Sequence, residues 1–452
     1  MKIKNKNIPY FLLCVIALQV FMLLSLKFTA WPEMTLWPYL MTKGWLPYRD
    51  IAIAHTPLML VDLSIFYAIF GTGIWQLKIF TWLLVIGFDV LIYWVVKKFW
   101  NSKTALVALI SFVLLQLFYD GNGLWFDLYM GLFAFVSYYF VKQKNYFWTG
   151  VFWALAFISK QTAVWFLLPI ALEIIKGEKL KAKSFLQTVY GGSVVAGVFV
   201  IILMVFGLLP SFFNWAVNFG LFILPKAQGQ IQLPGLKNLI VSLFPFLIFV
   251  PLFWQTKGKN LNLLVWALSG CLGAYPRFEY FHFQPAVPYL VIAVANFFSN
   301  EVRKNPQFKI FAVLYLAGCL YLFSGFFMRN YKEGVRFYEK DVQNVVVYIK
   351  NNTSLNDKIF VMNWWDNVYA LSGRMPAIDP WVPQLSWYME IPGIQEDIVN
   401  DLQKDKPKLI ILSQYSEVGL SAYIPQKVYN YVMQNYKIKE KVDGINILVP
   451  NK

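Results

Sequence analysis

The chain has 452 residues, of which 58% are hydrophobic, 19% aromatic and only 14% charged, with a mean hydropathy of +0.51, and that composition excludes an ordinary soluble domain. Apolar runs long enough to cross a bilayer as helices, without short alternating strands, exclude a porin-like barrel and leave a multipass α-helical membrane protein. The net charge of +16 would suit nucleic acid only if it were gathered into one patch.

In chain order, the apolar runs predict eleven transmembrane helices, near 8–28, 74–96, 104–119, 126–141, 146–158, 162–175, 186–208, 238–254, 261–275, 283–298 and 309–328. The N-terminal MKIKNKN ahead of the first run looks like a signal sequence. That run is longer than a typical h-region and no A-x-A site follows, so a retained signal-anchor is expected. The run at 57–70 is apolar but short and carries Asp62, which predicts an interfacial or re-entrant segment.

Short cytoplasmic loops collect Lys and Arg. On the eleven-span reading the loops of one side, with Lys2, Lys4 and Lys6 at their head, hold 17 basic residues, against 8 on the other. The N-terminus is therefore expected in the cytoplasm. The basic excess is an orientation signal, and no nucleic-acid partner is expected. Cys14, Cys271 and Cys319 all lie in predicted spans, which implies no disulfide framework and no cysteine-based metal site.

From Arg329 to Lys452 the composition changes, with 15 basic and 14 acidic residues among 124 and shorter apolar runs. Val342, Val345, Val346 and Ile349 share one helical face. KIFVMN (358–363), KLIILS (408–413) and GINILV (444–449) are β-branched runs, with helical patterns near 394–404 and 425–435. That order predicts a soluble α/β layer domain, extracytoplasmic by parity. The domain plan is thus a membrane part over 1–328, with a first outer loop at 29–73, followed by 329–452.

Charges at or inside the outer leaflet cost free energy and so have a partner or a task. The candidates are Glu33, Asp50, His55, Asp62, Asp120, Asp127, Lys160, Arg277, Glu279 and His282. Glu33 sits just beyond the first span among Trp31, Pro32 and Trp37, where a carboxylate can act as a base or bind a sugar hydroxyl, although a solvated loop acid is the plain alternative. GWLPYRD (44–50) supplies a turn, a rigid Pro and the Arg49–Asp50 pair ahead of His55, a loop that an ion pair alone would explain. Asp127 opens a span, for which helix capping is a sufficient account. Lys160, between two short apolar segments, suits an anion, with snorkelling as its competitor. Arg277, Glu279 and His282 fall within six residues, and guanidinium matches phosphate geometry, while an internal Arg–Glu pair is the alternative. Asp89, inside a span, is expected to be structural and paired. Two histidines are too few for an all-His metal site, though carboxylates could supplement them, which leaves metal dependence open.

An acid after the first span, then GWLPYRD and HTP, GNGLWFD, AFISKQT and YPRFEYFH, together resemble the GT-C superfamily of integral-membrane glycosyltransferases. The likeness is to the bacterial branch related to protein O-mannosyltransferases and the lipid A aminoarabinose transferase, a family 39-like group, and covers about 1–328. The resemblance implies a multipass bundle with juxtamembrane helices over a cavity, a polyprenyl-phosphate-linked sugar donor and an inverting transfer, the acceptor being a glycan, lipid or protein; no cofactor is predicted. By position Glu33 takes the place of the first-loop acid, although many relatives have Asp-Glu where this chain has Pro-Glu.

The residues fit such chemistry, with Glu33 as base and Arg277 and Lys160 clamping phosphate. Arg49 or His55 would assist, and Asp127 would hold hydroxyls. A flippase of polyprenyl-linked lipids is the rival, yet it calls for inverted repeats that are not evident. A membrane-anchored glycan-binding protein is a third reading, for which Trp364, Trp365, Asp366, Trp381 and Trp387 would be contacts.

Overall fold

The computed structural model describes residues 8–177, 181–255, 261–301, 307–417 and 419–451. The expected signal-anchor's polar head, with Lys2, Lys4 and Lys6, and the orienting residues Lys179, Lys257, Lys259, Arg303 and Lys304 lie outside the described residues. The chain forms two compact units, each assembled from three separate segments: 1–28, 79–201 and 232–334 in the first, and 29–78, 202–231 and 335–452 in the second.

Among the described residues, five helices are long and apolar enough to cross a membrane, namely Ile74–Phe99, Lys181–Val205, Leu236–Phe253, Tyr280–Ser299 and Phe308–Asn330. Shorter apolar helices cover Tyr10–Ser25, Leu58–Phe70, Ser102–Phe118, Tyr146–Ser159 and Leu261–Ala274. The Leu58–Phe70 helix has 13 residues and reaches only about 20 Å, short of a bilayer core of roughly 30 Å.

Within the first unit, local signals set where helices begin and break. Asn101 Oδ1 accepts from the main-chain N–H groups of Lys103 and Thr104, capping the Ser102–Phe118 helix. The helices Phe126–Lys142 and Tyr146–Ser159 pack side by side, with the Ser137 hydroxyl donating to the Thr149 carbonyl at 2.9 Å. Lys160 then takes an extended backbone conformation (φ −158°, ψ 132°), which stops the helix before a 3-10 turn at Gln161–Phe166 and the Leu167–Gly177 helix. The expected span at 162–175 is therefore two elements. Asn122, from GNGLWFD, donates from Nδ2 to the carbonyls of Leu23 (3.0 Å) and Leu26 (2.9 Å), holding the end of the first helix.

Glycine makes close backbone approach possible here. A Cβ on Gly270 would stand 2.5 Å from the Ala286 nitrogen, and one on Gly131 would stand 3.1 Å from Pro285 Cα. Bare backbone at both positions lets the Tyr280–Ala286 turn lie against two helices at once. Gly150 serves in the same way, its added Cβ falling 1.9 Å from the Thr188 carbonyl oxygen of the Lys181–Val205 helix.

The second unit holds a four-stranded sheet: β1 (Ile359–Met362), β2 (Leu409–Leu412), β3 (Tyr436–Val442) and β4 (Ile445–Pro450), in the order β1-β2-β4-β3. β1 and β2 pair in parallel with Ile359 opposite Leu409, while β4 is antiparallel to both its neighbours. Every residue of β1 and β2 is buried, as expected of strands covered on both faces. The Lys340–Asn352 helix contributes Val342, Val345, Val346 and Ile349 to the core.

The segment read as the first loop, 29–73, shares this unit. Its Pro32–Thr42 helix is buried over most of its length and receives a hydrogen bond from the Tyr67 hydroxyl at the Met34 carbonyl, 3.1 Å. Main-chain bonds then tie the loop to 335–452. Ala30 N–H donates to Arg336 O (3.2 Å), Trp381 N–H to Asp50 O (2.8 Å), and Ala52 N–H to Trp381 O (3.0 Å).

Candidate functional site

In the first unit, three elements bring together Asp127, Lys160 and His282, which sequence reasoning treated separately. Lys160 Nζ lies 2.6 Å from Asp127 Oδ2 and 3.1 Å from His282 Nδ1, and that imidazole nitrogen is 3.0 Å from the same carboxylate oxygen. The Asp127 side chain is fully buried and that of Lys160 is 4% exposed. Two expectations change as a result. The cap position of the Phe126–Lys142 helix belongs to Trp125, and Asp127 spends its carboxylate on Lys160 and His282 rather than on capping. Lys160 does not snorkel, because its helix stops one residue earlier and turns the ammonium inward.

The cluster has spare acceptor capacity. Asp127 Oδ1 is buried and has no hydrogen-bond partner among the described residues. It lies beside Gly273 and Thr162, where the missing side chain of Gly273 leaves backbone on one side. A carboxylate oxygen in that condition is set to accept a hydroxyl donor.

Arg277 and Glu279 belong to the same unit, with Arg277 Nε 4.0 Å from Glu279 Oε1 and the two side chains 25% and 36% exposed. This open pair is the internal Arg–Glu contact that the sequence allowed. Main-chain bonds with Gln232 hold the segment, Gln232 N–H donating to Pro276 O (3.1 Å) and Phe278 N–H to Gln232 O (2.9 Å). Arg277 is near enough for its charge to act on His282. Asp120, with a positive φ of 55°, precedes the GNGLWFD turn, and its charge reaches Tyr280. Asp89 departs from expectation: it is fully buried, yet neither carboxyl oxygen has a hydrogen-bond partner among the described residues.

In the second unit, Glu33 lies in the first turn of the Pro32–Thr42 helix. Trp31 before it packs on Phe337 with ring centroids 5.2 Å apart, and Phe337 packs on Trp365 at 4.8 Å. This places Asp366, half-buried, near Glu33. Burial first, and the Glu33 charge second, push the Asp366 carboxyl up to about 8. Burial and then Glu33 also raise the Tyr388 phenol. Sequence reasoning named Asp366 only as a glycan contact, and nothing in local periodicity joins it to residue 33.

Arg49 and Asp50 form the expected loop-pinning pair, Nε to Oδ1 at 2.8 Å, and Asp50 Oδ2 accepts from the Leu46 N–H at 2.7 Å. The carboxylate thus closes a turn, while the Arg49 side chain is 54% exposed. His55 is half-buried and its carbonyl accepts from the Tyr48 hydroxyl at 2.9 Å. Asp62 is half-buried in the Leu58–Phe70 helix. Among the described residues no three His, Cys, Asp or Glu side chains gather as a metal-binding group.

A family model described as dolichyl-phosphate-mannose-protein mannosyltransferase matches residues 54–206. No curated protein matches the sequence. In fold the chain is similar to solved structures of ArnT and of an archaeal oligosaccharyltransferase. The structures that carry this include ArnT from Cupriavidus metallidurans bound to undecaprenyl phosphate, with a TM-score of 0.66 at 9% identity over 98% of this chain and 98% of that one. Its apo form gives 0.63 at 11% identity, covering 97% and 98%. The oligosaccharyltransferase AglB from Archaeoglobus fulgidus, in complex with an inhibitory peptide and a dolichol-phosphate, gives 0.55 at 10% identity, covering 99% of this chain and 75% of that one.

Proposed function

We propose that the protein transfers a sugar from a polyprenyl-phosphate-linked donor to an acceptor hydroxyl at the extracytoplasmic face of a cell membrane, with inversion. The observation that carries this reading is the buried Asp127–Lys160–His282 cluster with Arg277 near it. A helical bundle that only anchored another domain would have no use for so costly a group of charges. Arg277 presents the fork suited to phosphate oxygens, and Lys160 adds positive charge where the departing phosphate develops negative charge. Asp127, through Oδ1, holds a sugar hydroxyl. Arg49, Asp50, His55, Glu279 and His282 take supporting roles in substrate binding.

Glu33 is the base. It takes the acceptor hydroxyl proton as that oxygen forms the new bond to the anomeric carbon, and the carbon–oxygen bond to phosphate breaks on the opposite face with its electron pair going to the phosphate. The lipid phosphates in the ArnT and AglB structures support a lipid-linked donor. The same reading keeps eleven spans, a membrane domain over 1–328 and an extracytoplasmic domain over 329–452.

The test is transfer in liposomes holding the purified protein, with defined polyprenyl-phosphate sugars as donors and released polyprenyl phosphate as the readout. Glu33→Gln should lower release by about 10²-fold or more while donor lipid still binds. A wild-type protein that moves donor lipid between leaflets but never cleaves it would replace this reading with the flippase.

A further inference from the structure

The second unit brings two carboxyl-bearing helix starts together. Glu33 lies in the first turn of the Pro32–Thr42 helix, Asp366 immediately precedes the Asn367–Ser372 helix, and these two helices pack against each other. The contact is braced from both sides. Phe337 packs its ring on Trp31, two residues before Glu33, and on Trp365, one residue before Asp366. Its carbonyl accepts from Asn367 Nδ2 at 2.6 Å. The Arg336 guanidinium stacks over the rings of Trp31 (5.4 Å) and Phe337 (4.7 Å), and the Arg336 carbonyl accepts from Ala30 N–H. Backbone and rings on either side of both acids are therefore held.

We propose that Asp366 is a positioning residue for the base: with Glu33 it forms a carboxyl pair that holds one proton between its two members. This rests on the reading of Glu33 as base. Two like charges in a half-buried setting cannot both form cheaply, so the pair loses its protons in two separated steps. The upward push on Asp366, with burial as the larger cause and Glu33 as the other, agrees with the geometry. Among the described residues, the ionisable groups beside the pair include Tyr369, Tyr388 and Arg336. Burial raises both phenols beyond the working pH range. While Asp366 keeps the shared proton, Glu33 is the single anion that meets the acceptor hydroxyl. The C-terminal domain thereby sets the protonation of a residue carried by the first loop.

Stability and activity against pH test this in the full-length protein. An Asp whose folded pKa lies above its unfolded value of about 4 binds an extra proton in the folded state between those limits, so stability falls as pH rises from about 4 to about 8. Wild type should show that fall in melting temperature, and Asp366→Asn should make it shallower. Glu33→Gln removes the neighbouring charge and should bring the upper end of the window below pH 8. If Glu33→Gln leaves the upper end in place, burial alone acts on Asp366 and the pair is overturned.

In transfer assays the wild-type pH profile should bend near pH 8, and Asp366→Asn should abolish that bend; its survival would overturn the proposal. Should the Asn variant fail to fold, Asp366→Glu keeps a carboxyl and should move the bend, and an unmoved bend counts against the pair. The two readings fail separately. Full transfer by Glu33→Gln alongside a shifted stability window removes the base and leaves the pair, whereas lost transfer with an unshifted window does the reverse.

Discussion

The Asp127 carboxylate divides its work between its two oxygens. Oδ2 meets both Lys160 and His282, and Oδ1 stays open. Removing one member of a buried ion pair leaves an uncompensated charge, which costs more than the pair contributes. Lys160→Met should therefore destabilise the protein by about 3–5 kcal/mol, read from thermal or denaturant unfolding in lipid. Adding Asp127→Leu should restore much of that loss without restoring transfer. Sequence reasoning found all three residues, because charge inside a membrane is conspicuous wherever it occurs. It could not find their meeting, since the residues come from different helices and the plain accounts of each, a cap and a snorkelling lysine, were locally adequate.

At the scale of elements, packing around glycine positions the site. The Tyr280–Ala286 turn carries His282, and a methyl group on Gly270 would collide with the main-chain nitrogen of Ala286, which cannot swing away as a flexible side-chain tip can. Gly270→Ala should cost about 1–3 kcal/mol and also lower transfer per folded molecule. Gly150→Ala, which meets the Thr188 carbonyl away from His282, should cost stability while leaving transfer per folded molecule near wild type.

Elements with strong periodicity were legible in the sequence. The runs at 358–363 and 408–413 contain β1 and β2, the run at 444–449 covers β4 up to its last residue, and the predicted helical face of Val342, Val345, Val346 and Ile349 is buried. β3 was missed because YKIKEKV alternates charge along an exposed strand and offers no apolar face, with only Tyr436 buried. The break at Lys160 was legible as a charge between apolar segments, but the turn that aims it inward depends on backbone conformation that hydropathy does not report.

For the whole molecule, the division into two units runs across the chain rather than along it. The first loop, 202–231 and the C-terminal domain form one unit. Composition changes once, near residue 329, and so suggests a linear boundary. The tertiary hydrogen bonds that gather loop and domain carry no compositional mark. Deleting 335–452 should therefore disable more than an appended module. In limited proteolysis of the truncated protein in liposomes, 29–78 should become cleavable where the full chain resists, and transfer should disappear. A truncated protein with a protected loop and normal turnover would show that the loop stands without its partner.

The main-chain bonds from Ala30, Asp50 and Ala52 to Arg336 and Trp381 impose an order of events during synthesis. The loop leaves the ribosome early and waits for strands and helices that are made last. Until they arrive, Trp31, Trp37 and the Pro32–Thr42 helix have no second surface to cover them. A prematurely terminated chain then keeps its aromatic loop without the hydrogen-bond partners that residues 336 and 381 supply.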